Sequence, residues 1–220
     1  MKKDTMTAFN VCESFVSLSG ESRWQGLVTT FIRFAGCDVD CAWCDTKYAH
    51  TEQPTEVEQE QLVSICRANA VPRVILTGGE PLLQQGLPSL CSALLKEGFE
   101  VQVETSGTRL IDMLDKRVMK VMDIKPPGAR AKKGFHWGNL DLLAGEDQVK
   151  FVLAGREDYE WALSIIAKVK LNKICKIIFS PVVGRLDPSE LAGWMVEDRP
   201  EAQMQMQLHR QIWPNEDRGR

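Results

Sequence analysis

Strand-like and helix-like hydrophobic patterns alternate along most of this chain. Residues 11–21 begin apolar and end in small polar residues, which predicts a short strand running into a loop. Residues 27–34, Leu-Val-Thr-Thr-Phe-Ile-Arg-Phe, are rich in β-branched and aromatic side chains and read as a buried strand that carries Arg33 into apolar company. A buried arginine needs an anion, either a core carboxylate or a ligand. From Pro54 the pattern turns helical to about Ala70, with Thr55 as cap, Glu58 three residues on, and Leu62, Ile65 and Cys66 on one face. Residues 74–77 predict a strand, and 81–97 a helix with apolar Leu82, Leu83, Leu87, Leu90, Leu94 and Leu95, ended by Gly98. Further strands are expected at 99–104, 118–123, 148–153 and 176–179, and helices at 110–114, 159–170 and 188–196. The alternation Met-Gln-Met-Gln-Leu at 204–208 reads as a half-buried edge strand with its glutamines facing outward.

Six or seven βα repeats in 220 residues imply parallel strands with right-handed crossovers that curve without completing eight. The expected fold is α/β, a partial (β/α) barrel of about six parallel strands, in a single domain spanning residues 1–220. A hydrophobic content of 44% is enough for one such core. Net charge is −3, so nothing at the level of the whole chain attracts nucleic acid or an anionic membrane. No run approaches the roughly 20 apolar residues of a membrane span. The start, Met1-Lys2-Lys3-Asp4, lacks a signal peptide's apolar segment, and an odd count of seven cysteines suits reduced thiols. The expected location is cytoplasmic.

Residues 36–46, Gly-Cys-Asp-Val-Asp-Cys-Ala-Trp-Cys-Asp-Thr, set Cys37, Cys41 and Cys44 at a C-x3-C-x2-C spacing. Three thiolates make an incomplete cage. A closed structural zinc site wants four ligands, and the next candidates are His50, which has no second partner nearby, and the remote Cys66. An iron–sulfur cube on the three cysteines would keep one iron open to a cofactor. A structural zinc module, or three unrelated buried thiols, is the alternative. A second motif, Thr77-Gly78-Gly79-Glu80-Pro81, follows the strand at 73–76. The segments 37–46, 77–81, 104–107, 123–125 and 180–182 all fall at carboxyl ends of expected strands, where such folds gather their chemistry. Arg130, Lys132 and Lys133 read as a solvated turn, and Cys12, Cys91 and Cys175 as small buried hydrophobes.

The cysteine spacing and the Gly-Gly-Glu-Pro loop resemble the cluster and S-adenosylmethionine (SAM) motifs of radical SAM enzymes. Nearly the whole chain resembles the 7-carboxy-7-deazaguanine synthases, which contract 6-carboxy-5,6,7,8-tetrahydropterin to 7-carboxy-7-deazaguanine and release ammonia in queuosine and deazapurine biosynthesis. Gly20 and Glu21, the run Phe31, Arg33, Gly36, Cys37, and the pair Asp45, Thr46 match that family. So do Glu104 to Gly107, and Gln207, Leu208, His209, Ile212 and Trp213. Ser19, Ser22, Asp123 and Ile124 depart from it. The resemblance implies a [4Fe-4S] cluster on Cys37, Cys41 and Cys44, and Mg²⁺ on Thr46. It implies substrate contacts from Leu18, Ser19, Gly20, Glu21, Arg33 and Thr77. SAM contacts would come from Gly79, Glu80, Thr105, Ser106, Asp123, Ile124, Lys125, Lys150 and Ser180. It further implies a small-molecule pterin substrate, a flavodoxin-type reductant and a homodimer. Glycyl-radical activases are the alternative relatives, but they tend to carry His-Asn where this chain has Asp45-Thr46. His209 reads as a capped or exposed residue near the end of the chain.

Overall fold

A computed structural model describes residues 8–216 and 218–220; the charged start at 1–4 lies outside the described residues. The strands are β1 (Ala8–Leu18), β2 (Val28–Phe34), β3 (Thr55–Glu58), β4 (Arg73–Gly78), β5 (Glu100–Thr105), β6 (Met119–Asp123), β7 (Gln148–Leu153), β8 (Lys176–Pro181) and β9 (Gln203–Met204). They form one sheet, ordered β3-β1-β2-β4-β5-β6-β7-β8-β9 among the described residues. From β2 onward every neighbouring pair is parallel, while β1 runs antiparallel to both β2 and β3. The fold is the expected α/β partial barrel, with an antiparallel pair added at one edge.

Side-chain parity splits each strand between two environments. Ile32, Phe34, Val74, Leu76, Val101, Val103, Val149, Phe151, Ile177 and Phe179 join the large core beneath the helices. The opposite parity, including Arg33, Thr77, Glu104, Asp123 and Lys150, lines a polar lumen. Burial on both faces is why Gln148–Leu153 is buried at all six positions. The helices α1 (Tyr48–Thr51), α2 (Gln59–Asn69), α3 (Leu87–Lys96), α4 (Arg156–Val169), α5 (Pro188–Asp198) and α6 (Leu208–Ile212) complete the chain.

Four local expectations are corrected. Residues 55–58 are strand, because their backbone pairs with residues 8–11 of β1; the helix starts at Gln59, and Glu58 and Gln61, not Thr55 and Glu58, form its capping box. The helix expected at 81–97 is broken after a 3₁₀ turn at Pro81–Leu83. Gln84 is drawn out to bridge Asn10 N–H and the Ala35 carbonyl, and α3 restarts with Pro88 in its first turn. Residues 110–114 form turns, since the Asn139 side chain takes the Ile111 N–H and donates to the Gly107 and Arg109 carbonyls. In the 204–208 run, Gln205 is buried rather than outward and exchanges two hydrogen bonds with the Ser22 backbone at 2.8 and 2.9 Å.

The loop joining β1 to β2 rises into the lumen from the amino-terminal ends of the parallel strands. Trp24 packs there with Phe31, Ile75 and Met119, Ser22 Oγ donates to Gln102, and Arg23 N–H donates to Gln148. The lumen therefore has a packed floor. Among the described residues no helix is long and apolar enough to cross a membrane.

Candidate active site

The cysteine loop leaves β2 through Gly36, whose φ of +90° an L side chain resists. It is braced from the 129–133 loop. Ala42 N–H bonds the Ala129 carbonyl, Lys132 N–H bonds Val39, and Lys132 and Lys133 pair with Asp40 and Asp38 at 2.5 and 2.8 Å. Lys132 and Lys133 are thus exposed yet tied to the cysteine loop. Burial pushes the Cys37 and Cys41 thiols up, Cys41 to about 11, with backbone N–H groups of Val39 and Asp40 partly offsetting this at Cys37. Among the described residues no three His, Cys, Asp or Glu side chains converge tightly enough to hold a single ion. All three thiols nevertheless line one cavity. A multi-iron group gripped at three corners fits this donor set better than a lone zinc ion. Cys66, Cys91 and Cys175 are buried as expected, each raised by burial to about 12; Cys12 is half-buried.

The Gly-Gly-Glu segment is pressed onto that loop. A Cβ on Gly78, at φ +139°, would lie 2.2 Å from the Phe34 carbonyl oxygen, and one on Gly79 would lie 2.0 Å from that of Gly36 and 2.9 Å from Cys37 Cβ. Only glycine lets the end of β4 approach so closely, and Gly79 N–H and Glu80 N–H bond the Phe34 and Gly36 carbonyls. Glu80 is fully buried behind the cavity wall. Its carboxylate accepts from Thr105 Oγ1 at 2.7 Å, Ser106 N–H at 2.9 Å, Ser106 Oγ and Leu82 N–H, so it binds the β5 loop to the β4 loop.

The cavity at the carboxyl ends of the strands measures about 650 Å³. Of the residues singled out by sequence it is lined by Leu18, Ser19, Gly20, Glu21, Arg33, Thr77, Gly79, Thr105, Ser106, Asp123, Lys125, Lys150, the three cysteines and Thr46. Glu80, Ile124 and Ser180 lie off its wall: Ile124 has core parity, and Ser180 Oγ is buried without a partner. Lys150 Nζ pairs with Glu21 Oε2 and stands 3.7 Å from Asp123 Oδ2, which Lys125 contacts at 2.8 Å. Burial opposes ionisation of Glu21, but the Lys150 ammonium outweighs it and holds the carboxyl at about 2. Glu104, bonded by Thr77 and Gln102, is instead pushed up, chiefly by burial. Glu21 Oε1 and Asp123 Oδ1 are buried with no close hydrogen bond, the Gln207 side chain standing near enough to Glu21 to favour its ionised form. Each carboxylate so keeps one oxygen for an incoming donor.

Glu13, Tyr48 and the Arg185–Trp43 pair carry no role in the sequence, while Glu104 and His209 stand out there only as members of matching segments. Glu13 and Tyr48 hold Arg33, Glu104 faces the lumen, Arg185 stacks on Trp43 at 5.5 Å, and His209 packs so closely on Gly20 that a Cβ there would lie 2.0 Å from the imidazole. His209 is half-buried within α6 against Gly20 rather than exposed, and burial lowers its pKa. The inward parity of Glu104 beside Gln102 was the available signal.

Residues 31–193 match the radical SAM superfamily. A 7-carboxy-7-deazaguanine synthase of Chlorobaculum tepidum is 40% identical over 98% of this chain and 99% of its own length. The chain belongs to the 7-carboxy-7-deazaguanine synthase family of radical SAM enzymes. Membership brings a [4Fe-4S] cluster and SAM as cofactors, which the thiols and the glycine-rich loop above suit. The family member of Koribacter versatilis is 34% identical over 95% of this chain and 99% of its own. For the fold, the crystal structure of QueE from Escherichia coli superposes with a TM-score of 0.76 at 24% identity, covering 92% of this chain and 95% of that one. These relatives do not favour a glycyl-radical activase or a zinc module.

Proposed function

We propose that the chain converts 6-carboxy-5,6,7,8-tetrahydropterin to 7-carboxy-7-deazaguanine with release of ammonia, acting as one catalytic domain. The observation that carries this reading is one cavity holding both Arg33, beside the cysteine loop, and ionised Glu21, whose Oε1 is buried with no close hydrogen bond. When bound, the cluster and SAM supply radical hydrogen abstraction. The chain's own residues bind, orient and shield. Adjacent N–H donors on an aminopyrimidine edge suit the Glu21 carboxylate, and the substrate carboxylate suits the Arg33 guanidinium. Thr46, whose Oγ1 is 3.7 Å from Cys44 Sγ, would supply Mg²⁺ with one oxygen while substrate and water fill the remaining positions. The packed floor around Trp24 would close the lumen to water from below. Leu18, Ser19, Gly20 and Thr77 complete the substrate wall; Gly79, Thr105, Ser106, Asp123, Lys125 and Lys150 face SAM, with Glu80, Ile124 and Ser180 acting from behind.

A homodimer in the cytoplasm, reduced by a flavodoxin-type protein, completes the proposal. The test is anaerobic reconstitution with iron and sulfide, then incubation with SAM, Mg²⁺ and the carboxypterin. The deazaguanine acid and ammonia should form without net consumption of SAM. SAM cleavage that ignores the carboxypterin but leaves a stable glycyl radical on a partner protein would reverse the assignment.

A further inference from the structure

Glu13 and Arg33 face each other across the antiparallel β1–β2 ladder, and their side chains are 16% and 12% exposed. Glu13 Oε1 accepts two hydrogen bonds, from Arg33 Nε at 2.7 Å and from the Tyr48 hydroxyl at 2.7 Å. Its Oε2 accepts the Gly219 N–H at 3.3 Å. The guanidinium lies between two rings, 5.9 Å from the centre of Phe15 and 6.0 Å from that of Tyr48, and Phe15 is stacked in turn on Phe31 at 5.0 Å. Arginine has a long, mobile stem, yet here it is fixed from three sides.

What matters is which nitrogen is used. A pair serving stability alone gains most by a two-pronged contact through the terminal nitrogens. Glu13 engages only Nε and turns its remaining capacity to Tyr48 and Gly219. Among the described residues the two terminal nitrogens of Arg33 make no hydrogen bond, and Arg33 lines the cavity. We infer that Glu13 and Tyr48 are positioning residues that hold the terminal fork of Arg33 ready for an anionic group of the substrate. Tyr48 begins α1, four residues beyond Cys44, so the same cradle ties the anion site to the loop that carries the cysteines. Neither residue touches the reacting atoms in this scheme. The inference deepens the reading above and rests on it.

The experiment uses the reconstituted enzyme with Glu13→Gln, Glu13→Asp and Tyr48→Phe, iron content being measured for each. Glu13→Gln should raise KM for the carboxypterin about ten-fold or more while kcat changes less than about three-fold, because the lost contact is a charged hydrogen bond that orients a binding group. Glu13→Asp should recover part of the loss, and Tyr48→Phe should shift KM in the same direction by less. A tetrahydropterin lacking the carboxylate, used as a competitor, should bind wild type and Glu13→Gln alike. A fall in kcat at unchanged KM, or equal weakening of the carboxylate-free competitor, would make the pair merely structural. If Glu13→Gln loses its iron, Tyr48→Phe decides, and an unchanged KM there overturns the inference. Wild-type enzyme that fails to turn over carboxypterin is a separate result, which removes the functional reading and this inference with it.

Discussion

Replacing Lys150 by Met tests the electrostatics of the lumen directly. The ammonium is the counter-ion of Glu21 and a near neighbour of Asp123, and all three groups are buried or nearly so. Glu21 is held at about 2, against an ordinary 4.5, which corresponds to roughly 3.5 kcal/mol at about 1.4 kcal/mol per tenfold. A carboxyl depressed in this way contributes stability that is complete above its unfolded value and disappears as pH falls from 4.5 toward 2. Without Lys150, burial becomes the largest influence on Glu21, opposed only by His209 and Gln207, and the carboxyl should shift upward. Breaking a buried pair from one side costs about 3–5 kcal/mol. Urea unfolding at pH 7 should therefore find Lys150→Met less stable by roughly 3 kcal/mol. At pH 5 the deficit should narrow, because protonation relieves the unpaired carboxylate in the variant while the wild-type pair is still intact. Lys150→Met combined with Glu21→Gln should regain more than half of the loss. A deficit under about 1 kcal/mol at pH 7, or one of equal size at both pH values, would refute the reasoning.

Cys41→Ala should abolish both the roughly one four-iron cluster per chain and SAM cleavage, and metal analysis of the wild type returning stoichiometric zinc would replace the enzyme reading with a structural one. Thr46→Ala should keep its iron but blunt the rise in turnover across a Mg²⁺ titration; an unchanged response moves the metal elsewhere. Gly79→Ala, whose methyl would sit 2.0 Å from the Gly36 carbonyl oxygen, should lower SAM cleavage at least about tenfold and weaken cluster retention, whereas near wild-type spectra and rates would show that the loop yields easily.

The parts of the site that were legible in the sequence are those whose chemistry is local. Cys37, Cys41 and Cys44 declare themselves by spacing, and Gly78-Gly79 by two adjacent residues without side chains after a strand. Strand parity was equally readable. Once Asp123 points inward, Ile124 must point into the core, so its proximity to a family motif was a poor guide to its side chain. Glu13 was not legible, because its value depends on the hairpin register that sets it opposite Arg33, 20 residues later. Residues 55–58, Thr-Glu-Val-Glu, resemble a helix start until β1 offers an edge, since pairing rather than composition decides a strand that short. Gln205 alternates like an exposed strand residue, and only the arrival of Ser22 from the far end of the chain makes it a buried one.

That last meeting has a consequence for the order in which the molecule can be completed. The loop of residues 19–26 is laced to the C-terminal segment by Ser22 with Gln205, by Gln25 Nε2 to the Met206 carbonyl, and by Leu208 N–H to the Gly20 carbonyl, contacts spanning more than 180 residues. During synthesis, residues 19–26 must wait for nearly the whole chain to appear before these bonds can form. Closing so long a loop is deferred until nearer contacts have shortened it. Amides of β4 to β7 should accordingly gain protection in pulsed hydrogen exchange before that of Ser22, with simultaneous protection arguing against the sequence. A loop translated early is then fastened late, so a nascent chain short of Gln205 has Cys37, Cys41 and Cys44 in hand while its Glu21 loop still lacks its moorings.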